Sequence, residues 1–108
     1  MSMYSQQIAE TIIQQMGGAS RLKAMVGANS FTYGPIDYKG FTQPFMAFKF
    51  KMNPKIKSLR VIYEEGKDTY VMQFLGRTGK VIREIDDVYC DDLINIFEQT
   101  TGLYLRLF

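Results

Sequence analysis

The chain contains no histidine, no tryptophan, one cysteine and three prolines in 108 residues. Without histidine, the commonest general base and the commonest metal ligand are both missing. A lone cysteine cannot close an internal disulfide, which fits a reducing compartment. Apolar runs extend only a few residues, too short for a membrane-spanning helix. The start, Met1-Ser2-Met3-Tyr4-Ser5-Gln6-Gln7, lacks the basic region and long apolar stretch of a signal peptide. The expectation is a single cytoplasmic domain over residues 1–108, with no membrane association, no metal and no cofactor. Hydrophobic residues make up 46% of the sequence, enough for one modest core.

Hydrophobic periodicity divides the chain into helical ends and a β-rich middle. Tyr4, Ile8, Ala9, Ile12, Ile13 and Met16 recur at helical spacing, and Gly17-Gly18 stops the pattern. From Arg21 to Gly34 the sequence reads as two short strands around Gly27, the second closed by Gly34-Pro35. Alternation is clearest in 45–52, where Met46, Phe48, Phe50 and Met52 oppose Phe45, Ala47, Lys49 and Lys51. Leu59, Val61 and Tyr63 repeat it in 58–64, Tyr70, Met72 and Phe74 in 69–75, and 80–85 forms a less clearly sided strand. Asn53-Pro54, Glu65-Gly66-Lys67 and Gly76-Arg77-Thr78-Gly79 supply short turns, so the strands form an antiparallel meander. Asp86 or Asp87 caps a last helix reaching about Thr101, with Tyr89, Leu93, Ile96 and Phe97 on its apolar side and Gly102 at its end. The predicted fold is α+β: an N-terminal helix, a meander of five or six strands, and a C-terminal helix, both helices on one sheet face. The opposite face is expected to be partly open and to carry Lys49, Lys51 and Arg60.

Charge is segregated along the chain. Lys39, Lys49, Lys51, Lys55, Lys57 and Arg60 lie between Tyr38 and Tyr63 with no acid among them. Glu84, Asp86, Asp87, Asp91, Asp92 and Glu98 lie between Glu84 and Leu105 with no base among them. The acids have a structural explanation at a helix start, where carboxylates complement the dipole and the unpaired N–H groups. The bases have none, and a cluster of cations favours an anionic partner.

No motif points to catalysis. Cys90 is flanked by Asp87, Asp91 and Asp92, which disfavour a thiolate, so it reads as a semi-buried structural thiol. The acids near it lack the glycine and terminal glutamate of a calcium loop. Asp37 with Glu65-Gly66-Lys67 imitates an Asp…Glu-x-Lys nuclease pattern, but Gly66 puts the triplet on a turn that splays its side chains. Gly76-Arg77-Thr78-Gly79-Lys80 has too few residues between its glycines for a P-loop and is followed by a strand. As a hairpin tip it still presents Arg77 and Lys80 to a phosphate backbone.

Several segments resemble a family of small phage and prophage proteins. Gly17-Gly18 followed by Met25-Val26-Gly27-Ala28-Asn29-Ser30-Phe31 is similar to that family's Gly-Gly…Met-Thr-Gly-Ala-Lys-Asn-Phe run, with Val26 in place of Thr. Asp68-Thr69-Tyr70 and Val88-Tyr89-Cys90-Asp91…Thr101-Gly102-Leu103 resemble its Asp-Thr-Tyr and Val-Tyr-Ala-Asp…Thr-Gly-Leu segments. The resemblance implies a mobile-element origin and work in the cytoplasm of an infected bacterial cell. It carries no activity and no site.

The functional expectation is a non-enzymatic module that binds nucleic acid, single-stranded and with weak sequence preference. Lys49, Lys51, Lys57, Arg60 and Arg77 are the expected phosphate contacts, with Phe31, Tyr33, Tyr38, Phe41 and Phe45 as stacking surfaces to be found. The alternative is a protein-interaction protein, a host inhibitor or phage assembly component. It would act through the sheet face or through the apolar tail 103–108, which also offers a route to a homo-oligomer.

Overall fold

The computed structural model describes residues 3–105, with Met3 described by its backbone alone. Two helices, α1 (Met3–Gln15) and α2 (Ala19–Val26), precede β1 (Asn29–Tyr38), β2 (Phe41–Lys49), β3 (Ser58–Glu64), β4 (Thr69–Leu75) and β5 (Val81–Val88). A 3₁₀ turn at Cys90–Asp92 leads into α3 (Leu93–Thr101). The five strands form one antiparallel sheet in sequence order, so the α+β meander is present.

The expected core face is the observed one except at Met52, which lies beyond β2 at φ +79° and is 78% exposed. Met46, Phe48, Phe50, Leu59, Val61, Tyr70, Met72 and Phe74 meet Ala9, Ile12 and Met16 of α1, Leu22 and Val26 of α2, and Leu93 and Phe97 of α3. Phe97 sits among aromatic rings, with centroids 5.2 Å from Phe50, 6.4 Å from Phe48 and 6.5 Å from Phe74. Leu105 is fully buried and Leu103 packs against the same cluster. The Leu105 N–H donates to the Glu98 carboxylate at 2.9 Å, so Leu103 and Leu105 pack back on the core, while Tyr104 between them is 69% exposed. Residues 106–108 of the proposed oligomer contact lie outside the described residues.

Three expectations are corrected. Arg21–Val26 is helix, not strand: α2 buries only Leu22 and Val26, four apart, too few for a periodic signal over eight residues. Gly27, taken for a break between strands, is the left-handed residue that ends this helix, with φ +68° and its N–H bonded to the Lys23 carbonyl. The strand closed at Gly34-Pro35 instead continues as β1 to Tyr38. Pro35 and Pro44 face each other across β1 and β2, and β3 begins pairing with β2 only at Phe45, so no ladder bond is lost to Pro44 on that side. Asp86 and Asp87 lie on β5 and not at a helix start, and Asp92, which does precede α3, makes no side-chain capping bond.

The face away from the helices is more covered than expected. Ile62, Val71 and Tyr38 form a second small core, with Ile36 and Phe45 against it, and every residue of β4 is buried. Tyr38 lies on one edge strand and Glu84 on the other, yet the Tyr38 hydroxyl donates to Glu84 Oε2 at 2.8 Å. The sheet therefore curls until its first hairpin reaches across this face. The two edges are also unsuited to pairing with another strand. β1 carries an irregularity between Asn29 and Thr32, and β5 carries two, with Asp87 at φ +53° in one.

Candidate nucleic-acid interface

Strand direction sorts the turns to two ends of the sheet. The β1–β2 and β3–β4 turns share one end, while the 50–57 loop and the β4–β5 turn share the other. At this second end Lys49, the last residue of β2, pairs with Ser58, which pairs in turn with Leu75. The chain then enters the tip at Gly76, held by Gly79 N–H to Gly76 O at 3.0 Å and Gly76 N–H to Lys80 O at 2.9 Å. Gly79 takes φ +84°, where a side chain would be strained. Lys49, Lys57, Ser58, Gly76, Arg77 and Gly79 thereby line one groove of about 260 Å³. No acidic side chain lines it, so its field is positive.

Asn53 builds the loop that positions Lys57. Its Oδ1 accepts from the N–H groups of Lys55 and Ile56 at 2.9 and 2.8 Å, and its Nδ2 donates to the Thr101 carbonyl at 2.8 Å. Lys57 Nζ donates back to the Asn53 carbonyl at 2.9 Å, while the Lys57 N–H bonds to Leu75 O at 2.8 Å. Asn53-Pro54 was legible as a turn. The use of the Asn53 amide to tie that turn to the last helix was not, because the partner lies 48 residues away.

Two expected phosphate contacts sit elsewhere. Lys51 is exposed, but its N–H bonds to Val26 O at 2.9 Å and its stem lies over Gly27 at the end of α2, away from the groove lining. Arg60 is half-buried in the covered face, where its Nε donates to Gln73 Oε1 at 2.7 Å. Gln73 passes the chain of bonds on, donating to Glu84 Oε1 at 2.7 Å, and Tyr38 closes it on the other oxygen. Burial lowers the Arg60 pKa and Glu84 acts against that, though a guanidinium keeps its proton regardless. The hydrogen bond from Gln73 is the first cause holding the Glu84 carboxyl below its ordinary value, followed by that from Tyr38 and by the Lys39 and Arg60 charges, while burial opposes them. Burial first, then the bond to Glu84, raises the Tyr38 pKa.

The aromatics do not join the basic groove. Phe31 packs on Phe48 with centroids 5.4 Å apart, Tyr38 and Phe45 belong to the second core, and Phe41 stands exposed near the opposite turn. Tyr33 is partly exposed on β1.

The acids gather at the first end. Lys67 Nζ lies 3.3 Å from Asp87 Oδ1 and 3.8 Å from Glu64 Oε1. Tyr4 donates to Glu65 at 3.0 Å, Tyr63 to Asp68 at 2.5 Å and Thr42 to Asp37 at 3.0 Å. Asp37, Glu65 and Lys67 thus have separate local partners. Among the described residues there is no group of three or more Cys, Asp or Glu placed to hold a metal. Cys90, expected to be semi-buried, is instead exposed, its thiol beside Asp91 in the 3₁₀ turn before α3. No helix among the described residues is long and apolar enough to cross a membrane. No family, curated protein or solved structure matches the chain.

Proposed function

We propose that the protein is a non-enzymatic module whose basic end binds the backbone of nucleic acid. The supporting observation is the convergence of Lys49, Lys57 and Arg77, from three separate segments, on one groove without a lining acid. Phosphate contacts of this kind position a strand and read no bases. With no exposed aromatic lining the groove, base stacking adds little, and sequence preference is weak. A flexible single strand reaches a narrow groove at the end of a sheet more easily than a rigid duplex. In this reading the module works in the cytoplasm of an infected bacterial cell, the setting implied by its resemblance to phage proteins.

Fluorescence anisotropy with labelled oligothymidylate at low salt tests the proposal. Three phosphate contacts on a single strand give a slope of log K against log salt near about −2. Arg77 makes no ion pair among the described residues, so Arg77→Glu should keep the native circular dichroism and reverse a charge in the groove. Absence of micromolar affinity at low salt, or affinity unchanged in Arg77→Glu, defeats the reading.

A further inference from the structure

The acidic end holds a second site of different chemistry. Phe41, Gln43, Glu64, Gly66 and Lys67 line a cavity of about 220 Å³. This is below the roughly 300 Å³ at which small-molecule pockets begin, and suits one side-chain head group better than a nucleotide. Glu64 has only 12% of its side chain exposed, and its Oε1 is buried without a hydrogen bond; the ion pair from Lys67 stops at 3.8 Å. Thr69, paired with Glu64 across the β3–β4 ladder, has a buried Oγ1 that is likewise unbonded. A buried carboxylate oxygen lacking a donor costs stability, so a donor that displaces the side chains closing it off has something to gain there.

The surroundings specify the donor. Phe41 is 70% exposed, unusual for a phenylalanine and unexplained by packing. It is set there by a tight turn, with Lys39 at φ +50° and Gly40 at φ +86°, the two left-handed residues that a hairpin of this type requires. An exposed ring beside a buried carboxylate matches a guanidinium, which stacks on aromatic faces and donates in the plane to carboxylates. An ammonium would use the charge but gain less from the ring. Asp87, Glu65 and Asp68 at the same end add a field that attracts cations, while Lys67, held by Asp87, competes from the rim.

We propose that this cavity binds an arginine side chain presented by a partner protein, with Glu64 accepting from the guanidinium and Phe41 stacking on it. The site is independent of the basic groove and stands or falls apart from it.

The test is an NMR titration of the full chain with the peptide acetyl-Gly-Arg-Gly-amide, its citrulline counterpart as a neutral isostere, and its lysine counterpart. The arginine peptide should shift the amides of Phe41, Gln43, Glu64, Gly66 and Lys67 saturably, with the citrulline peptide at least about tenfold weaker. Glu64→Gln should weaken arginine binding by about tenfold, and Lys67→Met should strengthen it by removing the competing cation. Should Glu64→Gln fail to fold, Phe41→Leu carries the test, since that ring is exposed; a several-fold loss is expected. Equal binding of citrulline or lysine, or shifts elsewhere on the chain, overturns the proposal. So does unchanged affinity in folded Glu64→Gln, or in Phe41→Leu. Concentration-dependent shifts at these amides without peptide, abolished by Arg77→Ala, would mean that a second copy supplies the arginine and would overturn a separate partner.

Discussion

The two ends of the sheet differ in how their charges are used. At the acidic end, carboxylates accept from Tyr4, Tyr63 and Thr42 and pair with Lys67, so most of the charge is tied into local structure. At the basic end the cations have no carboxylate among the groove lining, and Lys57 alone of the groove cations donates to the backbone. Hydrogen bonds from neutral hydroxyls satisfy the carboxylates without cancelling their charge, so at the acidic end Lys67 alone among these partners offsets the field, whereas the groove cations face no lining counter-charge. The comparison teaches that segregation in the sequence carried two different messages. One end is mostly self-satisfied, with Glu64 Oε1 and Thr69 Oγ1 left without a hydrogen bond among the described residues; the other gathers cations around a groove.

Breaking the shared core should hurt the basic end first. Phe97 is fully buried, ringed by Phe48, Phe50 and Phe74, and its helix supplies the Thr101 carbonyl that holds Asn53. Phe97→Ala should cost about 3–5 kcal/mol in urea unfolding, with faster amide exchange in 50–57 than in 64–69. Uniform loosening would mean that the two ends are not mechanically distinct.

Asn53→Ala is a narrower cut. It removes two acceptors for backbone N–H groups and one donor to α3, at a cost of about 2 kcal/mol. Because the same loop sets Lys57, oligonucleotide affinity should fall while arginine-peptide binding at the acidic end holds. Parallel loss of both in a folded variant would contradict the separation.

Alkali should act on the acidic end. The Tyr63 phenol, donating to Asp68, has its pKa pushed up to about 12, chiefly by that hydrogen bond, and Tyr4 beside Glu65 is raised by burial first and then by its bond. A folded pKa raised above the ordinary value of about 10 gives stability that is complete below pH 10 and lost as pH climbs toward 12. Tyr63→Phe should therefore flatten the fall in melting temperature between pH 10 and 12. An unchanged slope would show that the bond to Asp68 adds nothing.

How far the sequence revealed this depends on distance along the chain. Alternation marks the core face of β2, β3 and β4 because each strand records its two faces every second residue, though in β2 the pattern runs on past Lys49 to the exposed Met52; Gly102 marks the end of α3. Lys49 and Arg77 could be nominated from local clustering, since a cation on a strand end or a glycine-flanked tip is solvent-facing by default. Arg60 looked equally free, but its partners Gln73 and Glu84 come from β4 and β5, and nothing within its own strand announces them. The curl joining Tyr38 to Glu84 brings together residues 46 apart in the chain, which periodicity does not encode. Asp86 and Asp87 were misplaced for a related reason. The irregularity in β5 adds a residue opposite Val71, so the strand continues where alternation fails.

The smallest expected effect is a flat pH profile for oligonucleotide binding. The chain has no histidine, and no carboxylate among the described residues lines the groove. The carboxyl of Glu84, the acid joined to Tyr38 and Gln73, is depressed in the folded state, so the stability it contributes is present above the ordinary value of about 4.3. That contribution fades only as pH falls through the lower folded value. Affinity measured at constant ionic strength should then change by less than about twofold between pH 5 and 8. Tightening by several-fold toward pH 5 would require a carboxylate to lose its charge near the bound strand. That outcome would move the binding surface from the basic groove toward the acidic end and reverse the assignment of the two ends.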